Sequence, residues 1–155
     1  MSSPPEVTLR PMTDAEYEDW QEHNIHSFAA GIGPLRGLTG QAAVDLARDE
    51  VHRLLPNGRS TARHLLWTAC VDGEPVGGLW ISVALPVPYV FGVLVTEQHR
   101  GKGYGRALMV AAEQECRRLG YRHLDLNVFS NNSRAISLYD SLGYTVVSQM
   151  MRKEL

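Results

Sequence analysis

The run Tyr89-Val90-Phe91-Gly92-Val93-Leu94-Val95 passes through Thr96-Glu97-Gln98-His99 into Arg100-Gly101-Lys102-Gly103-Tyr104-Gly105-Arg106. An unbroken apolar run of this kind predicts a strand covered on both faces. After the glycines, Leu108, Ala111, Ala112, Cys116 and Leu119 recur at helical spacing, and Gly120 stands where a helix ends. The unit is a strand, a Gly-rich turn and a helix. A helix N-terminus carries unpaired N–H groups and about half a positive charge, so phosphates bind there. Gly101, Gly103 and Gly105 leave room for the backbone to approach an anion, and Arg100, Lys102 and Arg106 add positive charge. Each hydrogen bond to a charged phosphate oxygen would contribute roughly 1.5–3 kcal/mol.

Two familiar phosphate loops do not fit. The Walker pattern requires Ser or Thr after its Gly-Lys, where Gly103 follows Lys102. The dinucleotide fingerprint requires its third Gly where Arg106 stands. On its own the turn equally suits a tight connection with solvated basic residues.

Working upstream, Val7–Arg10 alternates like an edge strand. Thr13 or Asp14 reads as the cap of a helix running through Trp20 to about Phe28, broken by Gly31-Ile32-Gly33-Pro34-Leu35-Arg36-Gly37. Thr39 caps a second helix with Ala43, Leu46, Ala47, Val51 and Leu54 on one face. Leu65–Val71 and Val76–Leu85 form a hairpin around Asp72-Gly73. Downstream, His123–Phe129 reads as a strand, Asn131-Asn132-Ser133 caps a helix to Leu142, and Tyr144–Ser148 and Met150–Leu155 read as last strands. This order predicts a mixed α/β sheet with a parallel crossover in its second half, in a single domain over 1–155.

The formal charge is −2, so no basic field points to nucleic acid. No apolar run reaches transmembrane length. Met1-Ser2-Ser3-Pro4-Pro5 lacks the basic and apolar regions of a leader, and Cys70 and Cys116 sit in apolar segments as expected of buried free thiols. The expected compartment is the cytoplasm. His23 and His26 find no third ligand at a zinc spacing, so no metal is expected. His99 reads as exposed, Glu97 as facing solvent, and Trp20, Trp67 and Trp80 as core or pocket wall.

The residues from Tyr89 to Tyr144 resemble the GNAT superfamily of acetyl-CoA-dependent acetyltransferases. Arg100, Gly101, Lys102, Gly103, Tyr104 and Gly105 match its Gln/Arg-x-x-Gly-x-Gly/Ala motif. The helix from Ala107, the block Leu126-Asn127-Val128-Phe129, and then Asn132, Ala135, Tyr139 and Leu142-Gly143-Tyr144 also look like the family's. The resemblance implies a GNAT-like α/β (α+β) fold. Its sheet is mixed and mostly antiparallel, with about six or seven strands, a central parallel pair splayed around the cofactor, and about four flanking helices.

It also implies roles. Main-chain groups of Val93, Leu94 and Val95 would hold the pantetheine arm of acetyl-CoA, with an N–H near Val95 polarising the thioester carbonyl. Arg100, Gly101, Lys102, Gly103, Tyr104, Gly105 and Arg106 would hold the pyrophosphate. Asn132 would contact the cofactor from across the gap, and Tyr139 would act on the departing thiolate. Reference values put Tyr near 10 and a thiol near 8.5, so full proton transfer is uphill by about 2 kcal/mol. Hydrogen bonding to the developing charge is the role Tyr139 can fill. Tyr139 also fits a plain core position on its helix.

The acceptor would be a primary amine of a small molecule or peptide, attacking directly in a ternary complex. Making an alkyl amine neutral at pH 7 costs roughly 4.6 kcal/mol. Relatives often carry acidic residues on the strand before the motif, but here Gly92 and Leu94 stand at those positions. No general base is identified. The same departure leaves open a non-catalytic acyl-CoA-binding sensor, and no residue argues for or against a homodimer through the last strands.

Overall fold

The computed structural model describes residues 5–155, so the reading of Met1–Pro4 lies outside the described residues. Strand β1 (Thr8–Pro11) is followed by α1 (Asp14–Arg36), α2 (Gly40–Leu54), β2 (His64–Val71), β3 (Glu74–Ser82) and β4 (Tyr89–Val95). Then come α3 (Tyr104–Arg118), β5 (Asp125–Leu126) and α4 (Ser133–Ser141). The sheet order is β1-β2-β3-β4-β5, antiparallel except for the parallel pair β4–β5.

Thr13 starts α1 through a capping box. Its side chain accepts the Glu16 N–H while the Glu16 carboxylate accepts the Thr13 N–H at 2.9 Å. The helix does not stop near Phe28, as the Gly-Pro segment suggests, but runs to Arg36 with Pro34 inside it. Tertiary packing overrides the local breakers. A side chain at Gly31 would sit 2.2 Å from the Phe129 ring, and one at Gly33 would sit 2.8 Å from the Leu38 carbonyl, so the glycines are docking points. Gly37, in the left-handed conformation (φ 67°), closes the helix.

The sheet has a core on each face. On one, Trp20, Ile25 and Ala29 of α1 and Ala43, Ala47 and Val51 of α2 pack with Leu66 and Trp80. On the other, Leu108, Met109, Ala112 and Cys116 of α3 pack with Leu79, Ile81 and Val90, and Tyr139 and Leu142 join from α4. Cys70 and Cys116 are buried free thiols. The α1 helix lies so close to β3 that a side chain at Gly78 would meet the Trp20 ring at 2.4 Å.

The strand β4 departs from regular pairing. Trp80 pairs with Gly92 and Ile81 with Val90, leaving Phe91 as an extra residue in a β-bulge. The parallel neighbour pairs only at Tyr89↔Asp125 and Val90↔Leu126. The expected strand over His123–Phe129 is thus cut to two residues, because β4 bends away after the bulge.

Nor do Tyr144–Ser148 and Met150–Leu155 form strands among the described residues, so the sheet has five strands, not six or seven. A two-residue β5 offers a following segment almost no edge to pair with. Val146, Val147, Met150, Met151 and Leu155 are instead exposed, and the segment touches α1 where the Arg152 guanidinium donates to the Leu35 carbonyl at 2.8 Å. No helix among the described residues is long and apolar enough to cross a membrane.

Candidate active site

The divergence of β4 from β5 opens a cleft of about 580 Å³. One wall is β4, from Tyr89 to Leu94; the other is Leu126–Phe129 with Asn132, the cap of α4, and Ala135 and Tyr139 of α4. Its roof comes from α1 and α2 through Asn24, Ser27, Phe28, Glu50 and Leu54.

The free edge of β4 carries main-chain donors. Thr96 gives its N–H to the Val76 carbonyl on β3 at 2.9 Å. The alternation of an antiparallel ladder then points the Leu94 N–H toward β3, and those of Val93 and Val95 toward the cleft side. Val93 and Leu94 line the cleft; Val95 does not, its side chain packing toward α3. The Val95 carbonyl accepts the Arg100 Nε–H at 3.2 Å, which draws that guanidinium to the end of the free edge.

The turn that follows stands beyond the cleft lining. Gly101 (φ 78°) and Gly103 (φ 79°) occupy the left-handed region, so glycine is required by backbone conformation at both. Gly105 is different: a side-chain carbon there would make ordinary contact with Leu138 at 3.7 Å. Lys102 is exposed, Tyr104 packs against the α3 core, and the Arg106 guanidinium bonds the Ser141 hydroxyl of α4. His99, expected to be exposed, is buried at 7%. Its Nδ1 is 2.6 Å from the Thr96 hydroxyl and its Nε2 is 3.4 Å from Glu74, so it staples the turn to β3. Glu97 is exposed, as its sequence position suggests.

On the opposite wall, Asn132 uses its Oδ1 to accept the Ala135 N–H at 3.2 Å, capping α4 and leaving its amide N–H groups available. Tyr139 lines the cleft with its ring edge-on to Tyr144 (centroids 5.7 Å, interplanar 67°). Burial pushes its hydroxyl pKa up, so the phenol stays protonated across the working pH range.

At Gly92, one of the two strand positions that lack carboxylates, the absence has a steric explanation. A Cβ at Gly92 would lie 2.6 Å from Asn24 Oδ1 and 2.7 Å from Trp20. Asn24, 6% exposed, is held by donating its amide to Gln21 Oε1 at 2.9 Å. A neutral amide fills the place where a strand carboxylate would project. Asn24, Ser27, Phe28 and Glu50 belong to no motif, and only the packing of α1 and α2 brings them to the site. A signal was nonetheless present: Asn24, Ser27, Phe28 and Gly31 recur at i, i+3, i+4 and i+7, a stripe that mixes polar with apolar residues.

His64 lies behind the aromatic wall. Its Nδ1 accepts the Trp80 Nε1–H at 2.9 Å, and burial lowers its pKa, so it is neutral with the proton on Nε2. In this tautomer it has no free lone pair to take a proton from a substrate.

The sequence matches the Acetyltransferase (GNAT) family over residues 35–144. The chain belongs to the GNAT acetyltransferase family. Along nearly its whole length this GNAT protein is similar to the uncharacterized N-acetyltransferase YdgE of Bacillus subtilis (strain 168). The two are 29% identical over 96% of this chain and 98% of that protein. The crystal structure of YycN from Bacillus subtilis superposes with a TM-score of 0.88 at 28% identity, covering 96% of this chain and 98% of that one. AAC(6')-Iy, in complex with the bisubstrate analog CoA-S-monomethyl-acetylneamine, shares the fold, with a TM-score of 0.60 at 16% identity, over 97% of this chain and 98% of that one. The protein is thus an acyltransferase of the N-acetyltransferase type. Its family uses acetyl-CoA as the acyl donor.

Proposed function

We propose that the protein transfers the acetyl group of acetyl-CoA to a primary amine by direct attack in a ternary complex. The observation that carries this is the cleft itself, a gap in the sheet that begins where the bulge at Phe91 parts β4 from β5. A thioester entering along β4 meets the outward N–H groups of Val93 and Val95, with Leu94 between them. Arg100, Gly101, Lys102, Gly103, Tyr104, Gly105 and Arg106, at the start of α3, receive the pyrophosphate. Asn132 donates to the cofactor from its amide. The analog bound by AAC(6')-Iy, a CoA joined to an amine, supports placing both substrates in one continuous site.

In the transfer, the amine nitrogen attacks the thioester carbonyl and negative charge develops on its oxygen, where the Val95 N–H stabilises it. The C–S bond then breaks as the nitrogen gives up its second proton to solvent and becomes the amide, while the Tyr139 hydroxyl hydrogen-bonds the departing thiolate, which takes up a proton from solvent as CoA leaves. The cleft contains one carboxylate among its lining residues, Glu50, and its pKa is lowered, which makes it a weak base. The amine therefore loses its proton to solvent before it attacks.

Thermal unfolding with and without acetyl-CoA, followed by thiol release across an amine panel, tests this reading. Acetyl-CoA at a hundred times its dissociation constant should add about 2.7 kcal/mol of stability. No shift with either acetyl-CoA or CoA rejects the site; a shift with no thiol release leaves a CoA-binding sensor.

The proposal extends to one domain over 1–155, a cytoplasmic location and a homodimer through the last residues. The exposed Val146, Val147, Met150 and Met151 support the dimer. Light scattering of the full chain, compared with a chain ending at Thr145, reads it directly.

A further inference from the structure

Six aromatic rings line the cleft: Phe28, Trp80, Tyr89, Phe91, Phe129 and Tyr139. Trp80 and Phe91 stack at 4.8 Å between centroids, and Tyr89 packs on Phe91 at 4.7 Å. No Lys, Arg or His stands among the lining residues, and Glu50 supplies the sole carboxylate. His64, the nearest imidazole behind that wall, is neutral.

We infer that the acceptor is a small primary amine that binds as a cation, carries an apolar or aromatic body, and lacks a carboxylate. This rests on the acetyltransferase reading above and names the substrate class of that same site. Glu50 is its anchor. The side chain is half-buried on α2, and Arg53 holds it ionised through bonds of 3.2 and 2.5 Å, with Arg36 adding a weaker attraction. Neither arginine lines the cleft, so both act on Glu50 from outside it. A carboxylate has about four lone-pair sites, which leaves capacity for an ammonium N–H.

Asn24 supplies a second acceptor. One of its two amide N–H groups is committed to Gln21, and among the described residues no protein donor reaches its Oδ1. The partly exposed rings of Phe28, Tyr89, Phe91 and Phe129, with Trp80 buried behind Phe91, offer aromatic surface that favours a desolvated cation and covers an apolar body. Tyr89 stays protonated, its pKa raised by burial and by Asp125, so it contributes no charge. A substrate carboxylate would lose its hydration here with no basic partner to replace it, and would face Glu50. Free amino acids are therefore poor acceptors, although their amines are chemically similar.

The test compares 2-phenylethylamine with phenylalanine, which differ by one carboxylate, as acceptors for the full chain with acetyl-CoA. The expected kcat/KM ratio is about 100-fold in favour of phenylethylamine. Glu50→Gln should raise KM for phenylethylamine about tenfold and leave KM for acetyl-CoA unchanged. Glu50→Lys should invert the preference between the two amines. Equal use of both, or preference for phenylalanine, overturns the inference and leaves the acetyltransferase reading intact. So does a Glu50→Gln protein that keeps its melting temperature and its discrimination. Thermal stabilisation by acetyl-CoA, with no thiol release across a panel that also contains polyamines, aminoglycosides and peptides, overturns both.

Discussion

The missing Cβ of Gly92 points at Asn24 Oδ1, which lies 2.6 Å from where that carbon would be. One residue on β4 thereby defines what α1 can place over the cleft. Gly92→Ala should destabilise the protein by about 1–3 kcal/mol through overpacking, or about 2–4 °C in Tm per kcal/mol for a chain of this size. The double variant Gly92→Ala with Asn24→Ala should lose less than the sum of the two single variants. Additive losses measured by denaturant titration would show that the two side chains do not compete for one space. By the same geometry, Gly92→Asp should not introduce a working base but should lower both Tm and turnover.

Tyr139 makes no hydrogen bond from its hydroxyl to the protein among the described residues, so that oxygen costs the fold little to remove. Tyr139→Phe should keep Tm within about 1 °C. It should lower kcat about a hundredfold while leaving KM for acetyl-CoA nearly unchanged. A kcat equal to the parent's would remove Tyr139 from the chemistry.

In the proposed mechanism no protein group deprotonates the amine, so the pH profile should be that of the amine. The logarithm of kcat/KM should rise with unit slope from neutral pH toward the acceptor's own pKa, near 10 for an alkyl amine. An acceptor of lower pKa should move the break down by the same amount. A break that stays near pH 7 for every acceptor would reveal a protein group doing the deprotonation.

The capping box at Thr13 makes stability sensitive to acid. Arg10 bonds the Glu16 carboxylate and holds its pKa at about 2, against an ordinary value of 4.5. A carboxyl with a lowered folded-state pKa contributes stability fully above its unfolded value and loses it as pH falls toward the folded one. Stability should therefore decline from about pH 4.5 toward about pH 2. Glu16→Gln should be less stable at pH 7 and should show a shallower decline across that window in urea titrations.

At the start of α3, Gly103 (φ 79°) holds the conformation that aims the helix N-terminus. Gly103→Val should cost about 1–2 kcal/mol and raise KM for acetyl-CoA, with little effect on KM for the amine. An unchanged KM for acetyl-CoA would place the pyrophosphate elsewhere.

The sequence alone determined the elements whose signals are local. The apolar run Tyr89–Val95 is β4 with those bounds, the Asp72-Gly73 hairpin forms with both residues at positive φ, and Thr13, Thr39 and Asn132 head their helices. Strand, turn and helix chemistry act over a few residues, so periodicity and caps carry them. Only the tertiary structure decided that α1 runs through Gly31 and Pro34, because Phe129, far away in sequence, packs on the bare backbone of Gly31. The same holds for β5, shortened by a bulge in another strand, and for His99, buried by Thr96 and Glu74. The absence of acidic residues at Gly92 and Leu94 was legible in the sequence; its cause at Gly92 was not. Which side chain stands over a strand depends on how a helix packs across it, and that contact between Asn24 and Gly92 exists only once the sheet and α1 have come together.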